Sequence, residues 1–212
     1  MVFLRKIICI MTELHVDPRA KALIFDLDGT LSDSLPVHLA TWNTLGETFG
    51  FIFEDRIVHE MTGMPTIAFA ERLVNENNLS ITPEELVKLK QKAFWDSVGL
   101  IKPVDLVVGI VKKYHGKLPM AVGTGASRRS ALLQLETLGL TEYFDAIVTA
   151  DDVDNHKPHP DTFLVCAEMM EVDPEYCQVF EDGILGMEAA RSAGMMITDV
   201  RPFINYGEWA LS

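Results

Sequence analysis

The sequence predicts an α/β fold: a parallel sheet with helices on both faces and a helical block inserted after the first strand. Three observations carry that expectation. Short apolar runs such as Ala22-Leu23-Ile24-Phe25 have the length and character of strands buried on both faces. From Lys102 onward such runs alternate with segments whose apolar residues recur at helical spacing. Between residues 51 and 100, helical spacing continues with no strand-like run.

The elements follow in order. Lys21 to Asp26 reads as the first strand. A polar turn leads to Pro36, suited to a first helical turn, and that helix runs to about Phe49 with Gly50 ending it. Ile67, Ala70, Leu73 and Val74 mark a second helix. Thr82-Pro83-Glu84-Glu85 starts a third, with proline at its first position and acids in its first turn, and Leu86, Leu89 and Ala93 form its apolar face. Val107, Ile110, Val111 and Tyr114 define the next helix. Leu118 to Val122 is a strand that runs into Gly123-Thr124-Gly125. A helix with Ala131, Leu132, Leu135 and Leu138 ends at Gly139, and Asp145 to Thr149 is a short strand. Pro158 and Pro160 precede a helix carrying Phe163, Leu164 and Ala167. Cys177 to Phe180 is a strand ending in Glu181-Asp182-Gly183, followed by a helix with Ala189, Ala190 and Ala193 that stops at Gly194. Met195 to Thr198 closes the sheet.

Composition narrows the function. At 212 residues, 48% hydrophobic and 23% charged, the chain is ordinary globular material. A formal net charge of -13 argues against nucleic acid or an anionic membrane as partner, though not against a small anion in a locally positive site. Cys9, Cys166 and Cys177 have no metal spacing and read as reduced, buried thiols of a cytoplasmic protein. Residues 1 to 18 read as a loosely packed N-terminal extension, or an upstream start ahead of Met11. The apolar run Ile7 to Met11 is too short for a signal peptide. No stretch approaches a membrane span, and no repeat or coiled-coil seam points to assembly, so a monomer is expected.

Ligands of open parallel sheets bind beyond the carboxyl ends of the strands. Asp26, Thr124 and Asp182 fall at such ends, and Lys157 lies in the loop after another strand. Asp26 and Asp28 are two apart, so in extended chain both face one side. Paired carboxylates need a shared cation or proton. Mg²⁺ takes oxygen ligands, and Asp26 and Asp182 suit it, with Glu181 as a further contributor and the carbonyl of Asp28 as another. Asp26 is a possible nucleophile, because a carboxylate can form an aspartyl-phosphate. The Asp28 side chain is then free for proton transfer. Lys157 offsets the clustered charge, and Thr124 with the N–H groups around Gly125 holds phosphate oxygens. Singly, Thr124 reads as a turn residue, Lys157 and the histidines His156 and His159 as solvated, and His38 and Trp42 as packing residues. In this order and at strand ends, the set points to phosphoryl chemistry.

These motifs, Asp26-Leu27-Asp28-Gly29-Thr30, Thr124, Lys157-Pro158 and Glu181-Asp182, resemble the haloacid dehalogenase-like hydrolase superfamily over about Lys21 to Val200. Within it the chain is similar to β-phosphoglucomutase and the small sugar phosphatases, above all the fructose-1-phosphate and 6-phosphogluconate phosphatase-like group. The resemblance implies a Rossmann-like core at residues 19–35 and 101–212, and a helical cap at 36–100 that closes over the site. It implies Asp26 as nucleophile, Asp28 as general acid and base, Thr124 and Lys157 on the phosphate, and Asp182 with Glu181 at Mg²⁺. His38 and Trp42 match positions near the hinge, and Lys90 matches a cap lysine that meets substrate. Where the mutase carries an arginine for a second phosphate, this chain has Thr66, in Thr62-Gly63-Met64-Pro65-Thr66. Gly183 stands where serine is common. The expected activity is Mg²⁺-dependent hydrolysis of a small sugar phosphate. A hexose-phosphate mutase is the alternative, and a non-catalytic regulatory module ranks below both.

Overall fold

The computed structural model describes residues 14–52 and 66–204. Its centre is a five-stranded parallel sheet built from β1 (Ala22–Phe25), β4 (Met120–Gly123), β5 (Ala146–Val148), β6 (Cys177–Glu181) and β7 (Met196–Asp199). The strand order is β5-β4-β1-β6-β7, so the first strand in sequence is the middle strand in space. Leu23 pairs with Met120 on one side and Gln178 on the other, and Phe25 with Val122 and Phe180. Every residue of β1 is buried, as a two-faced strand requires.

Successive β1 side chains feed opposite faces. Leu23 and Phe25 join a core with Met120, Val122 and Phe180, covered by α4 (Asp105–Tyr114) and α5 (Arg128–Leu138) through Val107, Val111, Ala131 and Leu135. Ala22 and Ile24 join the opposite core with Ala121 and Val179, covered by α6 (Asp161–Met169) and α7 (Ile184–Ser192) through Phe163, Cys166, Ala189 and Ala190. The predicted Rossmann-like architecture is therefore the observed one.

The block between the first two core strands is helical. It contains α1 (Leu35–Phe49), α2 (Thr66–Asn77) and α3 (Pro83–Ser97). Pro36 lies in the first turn of α1, and Gly50 closes it in the left-handed conformation at φ 80°. At the start of α3, Thr82 accepts a hydrogen bond from the Glu85 N–H while Glu85 accepts one from the Thr82 N–H. These helices share their own apolar cluster: Leu39, Trp42, Leu45, Phe69, Ala70, Leu73 and Leu86.

Several details differ from expectation. The inward face of α3 is Leu86, Lys90 and Phe94, whereas Leu89 is 40% exposed. A lysine holds the inward position because the His38 ring takes its ammonium, as the site geometry shows. A two-stranded antiparallel sheet, β2 (Ser32–Asp33) with β3 (Lys102–Pro103), ties together the two chain crossings between core and helical block. Two-residue strands carry no alternation, so the sequence held no signal for it. Of the expected loose extension, residues 14–18 are tied to the core at particular points, although His15 and Pro18 are exposed. Leu14 is buried in the core, and the Gln178 side chain accepts from the Asp17 N–H and donates to the His15 carbonyl. Cys166 and Cys177 are free and buried; Cys9 lies outside the described residues. Among the described residues, no helix is long and apolar enough to cross a membrane.

Candidate active site

At the carboxyl edge of the sheet, β1 and β6 end side by side. Asp26 follows β1, its N–H bonded to the Phe180 carbonyl at 3.0 Å, while Glu181 ends β6 and Asp182 follows it. Asp26, Glu181 and Asp182 each offer a carboxylate oxygen, and these atoms lie within 4.8 Å of one another. All three residues are buried.

The chain makes room for this crowding with glycines. Gly29 has φ +87°, and a side chain there would collide with the Asp182 carboxylate. Gly186, in α7, leaves space for the Glu181 carboxylate in the same way. Glu181 Oε1 accepts from the Gly183 N–H at 2.9 Å, and the Thr30 hydroxyl donates to Asp182 Oδ1 at 2.8 Å.

Lys157 sits in the middle. Its Nζ donates to Asp26 Oδ1 at 2.7 Å and to Glu181 Oε2 at 2.8 Å, and its side chain is 2% exposed. Burial works against this ammonium, but the two carboxylates override it and hold its pKa above the ordinary lysine value. Three carboxylates against one ammonium still leave surplus negative charge. Burial and the neighbouring Glu181 push Asp26 well up and push Asp182 up to about 7. A divalent cation among these oxygens answers that surplus, and an all-oxygen donor set suits Mg²⁺. The residues present thus fit the ion.

Removing one partner of such a buried arrangement leaves uncompensated charge, typically at a cost of about 3–5 kcal/mol. Lys157→Met is therefore expected to lower unfolding free energy by roughly that amount in urea titrations without divalent ion. Unchanged stability would show that the carboxylates manage without the ammonium.

Asp28 occupies a second environment. Its Oδ1 accepts from Ser34 Oγ at 2.5 Å, His38 Nε2 at 3.1 Å and Gln134 Nε2 at 3.0 Å. Burial raises its pKa, but these hydrogen bonds outweigh burial and hold the carboxyl well below the usual range. Lys90 Nζ lies 2.7 Å from His38 Nδ1. An ammonium only donates, so Nδ1 accepts and Nε2 carries the hydrogen given to Asp28. The His38 ring stacks on Phe94 with centroids 4.2 Å apart, and Lys90 also lies 6.0 Å from the Trp42 ring centroid. Burial lowers the Lys90 pKa to about 8 and lowers that of His38.

Thr124 follows β4, 1% exposed, with its N–H on the Val148 carbonyl and its Oγ1 accepting from the Ala126 N–H at 3.0 Å. Gly125 lies in the bend that follows. Of the residues singled out in sequence, Asp26, Glu181, Asp182 and Lys157 form one contact group, and Asp28, His38 and Lys90 another. The Asp28 carboxylate is not one of the three clustered carboxylates; the atom it was expected to lend a metal is its carbonyl oxygen. Thr66 begins α2, while residues 62–65 lie outside the described residues. Ser34 and Gln134 received no role from the sequence, and Thr30 stood in the Asp26–Thr30 motif without one. Gln134 left one signal, a polar residue beside Ala131, Leu135 and Leu138 on an apolar helix.

A parallel sheet whose carboxyl edge gathers an acidic cluster, a buried lysine and a second, hydrogen-bonded aspartate defines a phosphoryl-processing hydrolase. The chain belongs to the haloacid dehalogenase-like hydrolase family, which matches residues 23–200. It is 42% identical to fructose-1-phosphate phosphatase YqaB of Escherichia coli over 86% of this chain and 97% of that protein. It is 33% identical to a phosphorylated carbohydrates phosphatase of Thermotoga maritima, over 82% of each. The crystal structure of β-phosphoglucomutase from Clostridium difficile superposes with a TM-score of 0.74 at 26% identity, covering 85% of this chain and 84% of that one. The enzyme is a phosphatase, a phosphoric monoester hydrolase.

Proposed function

We propose that the protein hydrolyses a small sugar phosphate of the fructose-1-phosphate or 6-phosphogluconate type, with Mg²⁺, through an aspartyl-phosphate on Asp26. The observation that carries this reading is the clustering of Asp26 with Glu181, Asp182 and Lys157 at the carboxyl edge of the sheet. The 42% identity to a fructose-1-phosphate phosphatase supports the substrate class.

Asp26, Asp182 and Glu181 would hold the ion, with the Asp28 carbonyl as a further ligand. When bound, the ion supplies charge neutralisation for the carboxylates and the phosphate oxygens. Asp26 attacks phosphorus as the phosphate is oriented by Lys157, the Thr124 hydroxyl and the N–H groups near Gly125. The bond to the sugar oxygen breaks, and Asp28 donates a proton to it. Asp28, now a carboxylate, then takes a proton from a water that attacks the aspartyl-phosphate, and the phosphorus–oxygen bond to Asp26 breaks to release inorganic phosphate. Asp28 is ionised while His38 donates to it. An arriving phosphate dianion raises its pKa, and a cap movement that withdraws His38 removes a strong lowering influence.

Residues 36–100 serve as the cap in this reading, over a core of 19–35 and 101–212. The β2–β3 pair lies where the two crossings meet, which suits a hinge. His38, Trp42, Thr66 and Lys90 are then the cap-side determinants of substrate choice. The overall reading places the enzyme in the cytoplasm as a monomer.

The test is phosphate release from a panel of sugar phosphates, with Mg²⁺ and with chelator. Fructose 1-phosphate or 6-phosphogluconate is expected among the best substrates, with inorganic phosphate as product and no turnover in chelator. A hexose-phosphate product from β-glucose 1-phosphate plus a bisphosphate, without free phosphate, would favour the mutase instead.

A further inference from the structure

Gln134 is fully buried on α5, at 0% exposure. Its neighbours on that helix, Ala131 and Leu135, are core residues packed on the sheet. Its Nε2 donates to Asp28 Oδ1 at 3.0 Å, while its Oε1 is buried without a hydrogen-bond partner among the described residues. A buried amide oxygen left unpaired is unfavourable, and methionine would fill similar space without that loss. Core packing alone therefore does not account for a glutamine here.

The position of its bond does. Three donors converge on Asp28 Oδ1, and two of them belong to the helical block's entry: Ser34 is the N-cap of α1 and His38 lies in its first turns. Gln134 alone among the three stands on a helix fixed to the sheet. Among the described residues, every side-chain hydrogen bond to Asp28 falls on Oδ1 and none on Oδ2, and the Asp28 side chain is 24% exposed.

We propose that Gln134 is a positioning residue that anchors Asp28 Oδ1 to the core, so that Oδ2 stays turned toward the leaving oxygen whatever α1 does. This rests on the reading of Asp28 as general acid. During attack, the phosphorus–oxygen bond to the sugar breaks, the bond to Asp26 forms, and the proton on Oδ2 passes to the sugar oxygen. Without Gln134 the carboxylate follows α1, and proton delivery suffers. A leaving group that departs as a stable anion needs no such proton.

The test compares kcat/KM for the best sugar phosphate with kcat/KM for p-nitrophenyl phosphate in Gln134→Met, with Asp28→Asn alongside. This quantity covers steps only up to loss of the leaving group, so the later attack by water does not enter. Well-placed acid–base groups contribute about 10²–10⁴-fold, and loss of one anchoring bond should remove a part of that, making the sugar-phosphate loss about tenfold larger than the p-nitrophenyl loss. Thermal stability of Gln134→Met should equal or exceed that of the parent, because the unpaired oxygen is gone. Equal losses on both substrates, or none, while Asp28→Asn remains selective, would overturn the anchoring role alone. An Asp28→Asn variant that loses both substrates equally would overturn the general-acid reading and the anchor with it.

Discussion

Asp26→Asn is expected to lose phosphate release from every substrate by at least about 10⁴-fold, the scale seen when a covalent nucleophile is removed. The side chain is nearly isosteric, and its amide oxygen can still accept from Lys157 Nζ, 2.7 Å from Asp26 Oδ1. Folding should therefore survive. One negative charge also leaves a cluster in which burial and Glu181 already push Asp26 up. Thermal unfolding should show a midpoint at or slightly above the parent's. Parent-like turnover in this variant would remove Asp26 from the chemistry. A collapsed midpoint would mean that its charge is needed to fold.

Addition of Mg²⁺ should stabilise the protein, and more so at pH 8 than at pH 5.5. The sign follows from the carboxyls. Burial and Glu181 raise Asp182 to about 7, and Asp26 moves the same way. A carboxyl raised on folding carries a proton that the unfolded chain has already lost, so its favourable contribution is present at low pH. That contribution fades as pH rises from the ordinary carboxylate range through about 7. At pH 5.5 protons compete with the cation, and at pH 8 they no longer do. A cation at a hundredfold excess over its Kd contributes about 2.7 kcal/mol. That corresponds to a midpoint shift of roughly 5–11 °C for a chain of this size. Melting curves at both pH values, with Mg²⁺ and with chelator, read this directly. A shift that is equal at both, or larger at pH 5.5, would place the ion elsewhere.

The fold was legible because its signals are local. Ala22 to Phe25 declared a strand buried on both faces, and Gly50, Gly139 and Gly194 marked helix ends where the backbone does turn left-handed. The helix start at Thr82-Pro83-Glu84-Glu85 was readable from four letters, and the structure adds the reciprocal Thr82–Glu85 hydrogen bonds. Strand ends placed Asp26, Thr124 and Asp182 on one edge, with Lys157 in the loop after another strand; Asp26, Asp182 and Lys157 cluster there with Glu181, and Thr124 follows β4 outside that contact group. What stayed hidden depends on pairs distant in sequence. Lys90 has the side chain of a solvated residue, and it is buried where His38, 52 positions earlier, takes its ammonium beside the Trp42 and Phe94 rings. Gln134 meets Asp28 across 106 positions, and no periodicity announces such a contact. The β2–β3 pair joins Asp33 to Lys102 in the same way. Local pattern gave the elements and their order, while the partners of polar side chains required the tertiary fold.

The central claim is a phosphoryl group carried on Asp26. The direct measurement is rapid acid quench of the enzyme during turnover of a sugar phosphate, borohydride reduction of any acyl phosphate, and peptide mass spectrometry. Conversion of residue 26 to homoserine, dependent on substrate and absent in Asp26→Asn, is the predicted result. An unmodified Asp26 in enzyme quenched during the steady state, with the reduction product at another carboxylate, would contradict the account.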